Sequence, residues 1–274
     1  MDYLRYSFTR LFGFFARQRL GWFTTCIIKL FIRAYQVNMR EACQVNAKDY
    51  PTFNLFFTRA LKAGARNIAP HWQTLVSPAD GTIAEMGTIH KNSLIQAKGH
   101  SYTLEDLLAG DEQASQFYNG FYSTIYLSPK DYHRVHMPLA GKCYQATYIP
   151  GKLLSVKLKT AAKVPNLFAN NERVVCYFET EFGKMVVILV GAMIVGSISL
   201  AWQGILNLGH SNKITTWHYD QPLSLEKGEE LGLFQLGSTA IILCENNPTA
   251  HWQAHETKRG EHCQYGQALA ERIS

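Results

Sequence analysis

The sequence predicts an α+β fold, a helical N-terminal segment followed by a mainly β body, and three observations carry that prediction. Residues 1–40 hold seven basic residues (Arg5, Arg10, Arg17, Arg19, Lys29, Arg33, Arg40) against one acid, Asp2, with apolar residues at helical spacing. From Val76 onward the chain breaks into short β-branched and aromatic runs between turn formers. Met185 to Gly209 carries no charge and is long enough to span a bilayer, yet Gly191, Gly196 and Gly204 interrupt it. Its Val and Ile content, with Ser197, Ser199, Gln203 and Asn207 inside it, suits two or three buried strands rather than one spanning helix.

The chain has 274 residues, 47% apolar and 18% charged, which excludes a disordered protein and allows one large or two small domains. The net charge of +6 suits an anionic partner: nucleic acid, a phosphorylated metabolite or an acidic membrane. The cysteines (Cys26, Cys43, Cys143, Cys176, Cys244, Cys263) show no C-x-x-C pair or zinc spacing and read as free thiols of a reducing compartment.

Leu4, Phe8, Leu11, Phe12 and Phe15 mark one apolar helical face, and Trp22, Cys26, Leu30 and Phe31 a second, with Lys29, Arg33 and Arg40 on another side. No run here reaches the ~20 residues of a membrane span, and no cleavage site of a secretory signal follows Leu20–Ile28. Basic amphipathic helices rich in Phe and Trp fit the membrane interface; a pair of core-packing helices with a solvated basic face fits the same pattern. Composition shifts only near residues 41–50, so the chain divides into 1–45 and 46–274. Pro51 or Thr52 starts a short helix and Gly64 ends it. Ser77-Pro78-Ala79-Asp80-Gly81 is a turn before the strand Thr82-Ile83-Ala84. Thr103 caps a short helix through Leu104, Glu105, Asp106, Leu107 and Leu108. Phe121 to Leu127 is a strand that runs into Ser128-Pro129-Lys130-Asp131-Tyr132-His133-Arg134-Val135-His136-Met137-Pro138. Leu231–Phe234 and Ala240–Leu243 are strands on either side of Leu236-Gly237-Ser238-Thr239.

That tetrapeptide reads as a plain turn or as a reactive bond. Gly237 leaves its carbonyl carbon unshielded, and the Ser238 hydroxyl can fold back onto it once a base removes the proton. His133 and His136, spaced H-x-x-H after a strand, are either structural histidines or bases; no third and fourth metal ligand accompanies them, so no metal is expected. Asp80 is a turn former or the residue that orients His136, giving an Asp80-His136-Ser238 triad. No G-x-S-x-G elbow is present, against an α/β-hydrolase.

Val76-Ser77-Pro78-Ala79-Asp80-Gly81, Gln96-Ala97-Lys98-Gly99-His100-Ser101-Tyr102, Tyr132-His133-Arg134-Val135-His136-Met137-Pro138, Val190–Ile198, Lys227–Gly232 and Leu236-Gly237-Ser238-Thr239 together resemble phosphatidylserine decarboxylase of the bacterial membrane-associated type. The match runs in order from about Tyr50 to about Leu243; Ile205 to Leu225 adds nothing to it. The resemblance implies a barrel-like β core and a proenzyme that cuts itself between Gly237 and Ser238, into residues 1–237 and 238–274. His136, oriented by Asp80, would take the Ser238 proton. Attack on Gly237 would give an ester, and elimination, rearrangement and hydrolysis would leave a pyruvoyl group (a covalent pyruvate) in place of Ser238. That group would form a Schiff base with the substrate amine and accept electrons as carbon dioxide leaves, and His133 would return a proton. Lys98 or Arg134 would hold the phosphate.

The implied partners are phosphatidylserine and an anionic bilayer at the cytoplasmic face of the cell membrane, bound peripherally, with no nucleic acid. The two fragments would stay together as a heterodimer, with a homodimer of these as a further option. Three rivals remain at this stage: a pyruvoyl decarboxylase of a soluble amino acid, a serine hydrolase using Asp80-His136-Ser238, and a lipoyl-like binding module.

Overall fold

A computed structural model describes residues 13–97, 100–192, 198–206, 212–235, 238–247, 250–255 and 259–273. Leu4, Phe8, Leu11 and Phe12 of the first apolar face, Lys98, Leu236 and Gly237 lie outside these residues.

Helix α1 (Trp22–Tyr35) and the short α2 (Phe53–Phe57) precede strands β1 (Thr74–Val76), β2 (Gly81–Thr88), β3 (Ser93–Ala97) and β4 (His100–Thr103). Helix α3 (Leu104–Leu107) leads to β5 (Phe121–Leu127), β6 (Arg134–His136) and β7 (Gly141–Ile149). The short helices α4 (Leu158–Ala161) and α5 (Leu167–Asn170) come before β8 (Arg173–Thr180), β9 (Gly183–Gly191), β10 (Ile198–Leu200), β11 (Gly204–Ile205) and β12 (Thr215–Leu225). Then follow β13 (Glu230–Phe234), β14 (Ser238–Cys244), β15 (His251–Ala254), β16 (His262–Cys263) and β17 (Ala268–Ile273).

The body is therefore α+β and mostly strands. Its main sheet has the order β12-β7-β8-β9-β14-β5-β2-β16, with every neighbouring pair antiparallel. Among the described residues its edges β12 and β16 do not pair with each other, so the ladder is open and no closed barrel forms. A second sheet, β11-β10-β13-β6, carries His136 opposite Glu230 and Arg134 opposite Leu233. A third, β1-β17-β15, and the hairpin β3-β4 complete the sheets.

The uncharged run resolves into β9, β10 and β11, as its glycines and polar residues suggest. It is apolar on both faces because β9 is buried on both. Val187 and Leu189 enter one core and Val186, Ile188 and Val190 the other, and β14 divides the same way, Ala240 and Ile242 against Ile241 and Leu243. Thr103 caps α3 by accepting from the Asp106 amide.

Two expectations change. The helix begun by Thr52, which accepts from the Leu55 amide, ends at Phe57 and not at Gly64. The reason lies across the chain: Ala60, Leu61 and Lys62 pair with Glu41, Ala42 and Cys43 in an extended register that a helix cannot satisfy. The second concerns the face Trp22-Cys26-Leu30-Phe31, from which Phe31 departs. Trp22 and Leu30 point outward, 77% and 69% exposed, while Ile28 and Phe31 pack on Phe53, Phe56 and Phe57. That apolar cluster also takes in Ala16, Val37, Ala47 and Tyr50, so packing continues across residue 45.

Candidate active site

Ser238 opens β14, between Leu127 of β5 and Gly191 of β9. It is fully buried, and its Oγ has no hydrogen-bond partner among the described residues. Alternation along β14 places Ser238 on the same face as Ala240 and Ile242. That face belongs to the core into which Val135 and Met137, flanking His136, and Phe234 also pack. The second sheet thus lies over the side of β14 that Ser238 faces.

β13 leads to Ser238 from that second sheet. Its last residue, Phe234, donates its amide to the His133 carbonyl at 3.0 Å. His133 is fully buried against Phe57, with ring centroids 4.1 Å apart. Its Nδ1 lies 2.8 Å from the Asp131 carbonyl oxygen. A carbonyl only accepts, so Nδ1 carries the proton and Nε2 presents a lone pair. No described group meets that Nε2. Burial pushes the His133 pKa down to about 4, which keeps the ring neutral.

His136 follows the same rule. Nδ1–H donates to the Gly228 carbonyl at 2.9 Å, and Nε2 accepts from the Tyr132 hydroxyl at 3.1 Å. The ring lies flat on Tyr265, 3.9 Å between centroids and 5° between planes. Burial lowers its pKa as well. Burial thus favours the neutral form of both rings, with the proton on Nδ1.

Asp80 is buried in the turn expected for it, but its hydrogen bonds go elsewhere than His136. Arg66 grips both carboxylate oxygens, from Nε at 3.0 and 3.2 Å and from Nη2, and also reaches Glu41 at 2.8 Å. Asp80 also accepts from the Tyr265 amide at 2.9 Å. Asp80 thus anchors the residue that stacks on His136. Arg134, a candidate phosphate ligand, is occupied by Glu230 at 2.8 Å and by the Thr58 carbonyl.

Arg66, Tyr265 and His262 were not legible as site residues. His262 meets Asp131 at 3.1 Å, and that contact raises its pKa; Asp131 also accepts from the amide and hydroxyl of Ser128. None of these three belongs to a motif, and only the sheets bring them close. Leaving a buried hydroxyl or ring nitrogen without a partner costs ~1–3 kcal/mol each, and such groups call for an explanation. Ser238 Oγ and His133 Nε2 are two such groups among the described residues.

The family described as phosphatidylserine decarboxylase matches residues 53–271, and a second family, described as PSD, matches residues 8–36. The chain is 52% identical over 233 residues to a phosphatidylserine decarboxylase proenzyme of Marinobacter nauticus, covering 84% of this chain and 81% of that one. It is 52% identical over 240 residues to the proenzyme of Pseudomonas aeruginosa, covering 86% and 83%. With that of Yersinia enterocolitica it shares 47% over 271 residues, covering 97% and 92%.

Proposed function

The chain belongs to the phosphatidylserine decarboxylase family, and from that premise we propose how its residues work. It decarboxylates phosphatidylserine to phosphatidylethanolamine and carbon dioxide, using a pyruvoyl group that it makes from Ser238 by cutting itself after Gly237. The observation that carries this reading is the buried, partnerless hydroxyl of Ser238 at the head of a central strand. The site fits the group, because no described residue uses that oxygen.

In the cut, His136 Nε2 takes the Ser238 proton, after the Tyr132 hydroxyl turns aside or relays it. Oγ attacks the Gly237 carbonyl carbon, the peptide nitrogen takes up the proton, and the C–N bond breaks to leave an ester. Loss of the Ser238 α-proton then expels the Gly237 carboxylate, and hydrolysis releases ammonia. Asp80 positions His136 through Tyr265. The choice of serine follows, since one oxygen must serve as nucleophile and then as leaving group.

The pyruvoyl carbonyl, once made, supplies an electron sink for the departing carboxylate. His133 Nε2 holds and returns the proton, with its ring fixed by Nδ1–H on the Asp131 carbonyl. Residues 1–45 dock peripherally on the cytoplasmic face of the cell membrane, and residues 46–274 form the catalytic unit.

An intact-mass measurement of purified protein tests the reading. Two chains are expected, residues 1–237 and 238–274, the second with a carbonyl in place of its N-terminal amine. Ser238→Ala should remain one inactive chain. A wild-type protein that turns over phosphatidylserine while staying uncut would refute the mechanism.

A further inference from the structure

Arg59 is a buried cation that makes no salt bridge among the described residues. Only 4% of the residue is exposed. A guanidinium taken out of water ordinarily meets a carboxylate, because burial of an unpaired charge is unfavourable. Arg59 Nη2 instead donates to two carbonyls, Lys130 at 3.0 Å and Asp131 at 3.3 Å, and the group lies over the Phe56 ring at 5.6 Å. Nε and Nη1 are buried with no partner among the described residues. The neighbouring acids are already engaged: Glu41 and Asp80 by Arg66, Asp131 by Ser128 and His262. Arg59 lines a polar cavity of ≈ 200 Å³ together with Gln36, Asn38 and Lys130, and the engaged carboxylates of Glu41, Asp80 and Asp131 line it too.

We propose that this cavity is a phosphodiester subsite with Arg59 as its principal ligand, and that it holds the headgroup phosphate of the lipid; the assignment rests on the decarboxylase reading above. Chemistry, location and approach each select that occupant. A charged guanidinium with free N–H donors is the side chain best matched to phosphate oxygens. The Asp131 carbonyl that accepts from Arg59 also accepts from His133 Nδ1, so the anion site adjoins the histidine that returns the proton. In a serine phospholipid the phosphorus stands three bonds from the carbon to be protonated, so its subsite has to be this close.

Gln36 and Asn38 directly follow α1, whose outer face is apolar and exposed, so the cavity borders the surface that meets lipid. The other substrate anion, the carboxylate, is a poorer occupant. A cation holding it would favour the charged ground state over loss of carbon dioxide.

The test uses the mature full-length protein, vesicles containing phosphatidylserine, and two soluble competitors. Glycerophosphoserine carries the phosphodiester without acyl chains; serine O-methyl ether carries the same amine and carboxylate without phosphate. The first is expected to inhibit wild type at about tenfold lower concentration or better. Arg59→Gln, checked by intact mass for completed self-cleavage, should raise KM about tenfold or more and erase that preference. Equal inhibition of wild type by the two compounds overturns the subsite without recourse to any variant. Inorganic phosphate competing as well as glycerophosphoserine overturns the headgroup assignment in favour of free phosphate. A preference retained in Arg59→Gln overturns the role of Arg59. In each of these cases a wild type that cuts itself and turns over phosphatidylserine leaves the decarboxylase reading standing; a wild type that does neither sinks that reading and the subsite with it.

Discussion

His133 and His136 each give Nδ1–H to a backbone carbonyl, and the different surroundings of their rings are what the proposed division of labour rests on. His136 shares its face with Tyr132 and Tyr265 and is tied to Asp80 through the latter, whereas His133 is sealed behind Phe57 beside Asp131. His136→Ala is expected to remain a single chain, because the nucleophile loses its base. His133→Ala should cut at least in part yet turn over about 10²-fold more slowly or worse. Both variants maturing and turning over alike would show the roles to be misassigned. The burial of His133 also makes a prediction about stability. Its folded pKa is about 4 against 6.5 for the free group, so between these values the unfolded chain binds more protons. Stability from this residue is complete above pH 6.5 and is lost as pH falls toward 4, by up to ~3 kcal/mol. His262, raised by Asp131, acts oppositely, its contribution fading as pH rises through its folded value. Urea unfolding of wild type and His133→Gln at pH 7 and pH 4.5 isolates the first effect. The variant should lose less stability on acidification; equal losses would mean that the buried ring is not the cause.

At the level of elements, β13 and β14 matter most, because the bond proposed to be cut lies between them. β13 is held to β10 so closely that a Cβ on Gly232 would stand 2.3 Å from the Ser199 carbonyl oxygen. Gly232→Ala should therefore push the two strands apart, lower stability by ~1–3 kcal/mol and slow self-cleavage, read by denaturant midpoint and by the ratio of cut to uncut chain. A variant as stable as wild type, cutting at the same rate, would remove β13 as a positioning element. These strands were readable in the sequence because their residues are β-branched or aromatic and stand between turn formers, and β5 was readable to its end residues for the same reason. The end of α2 was not, since it is decided by pairing with residues 41–43 rather than by any local signal. Asp80 was visible as a turn residue. Its partner Tyr265, 185 positions away, was not, because no periodicity or spacing encodes a contact made only when β16 closes on β2. The histidine tautomers were equally hidden, being set by the carbonyls of Asp131 and Gly228.

For the whole molecule, the question is what keeps two proposed fragments and an N-terminal segment proposed to meet the membrane in one working unit. Residues 238–274 would not be a loose tail: β14 lies between β5 and β9, β16 pairs with β2, and β17 pairs with β1. The fragments should co-purify and part only in denaturant. The N-terminal segment is joined to the same body. Its helix packs Ile28 and Phe31 onto Phe53, Phe56 and Phe57, and Arg17 donates to Gln235, three residues before Ser238, at 3.1 Å. Deleting residues 1–45 would uncover those phenylalanines, so truncation cannot separate membrane docking from folding. Substitution can. Phe14, Phe15, Trp22, Phe23 and Leu30 are exposed, with Arg17, Arg19, Lys29 and Arg33 exposed among them. Among the described residues no helix is long and apolar enough to cross a bilayer. A surface of this kind binds by inserting its apolar side chains to the headgroup boundary while basic residues meet anionic lipid, each basic residue adding ~1 kcal/mol near the surface. Trp22→Glu with Leu30→Glu should weaken sedimentation with anionic vesicles by about tenfold or more, since each apolar side chain contributes ~1.5–3 kcal/mol when buried. The same variant should keep the thermal midpoint and the self-cleavage of wild type, because neither side chain belongs to the protein core. Added salt should weaken the wild type further, through its arginines and lysines. Undiminished vesicle binding by the double variant would place the membrane contact elsewhere on the molecule.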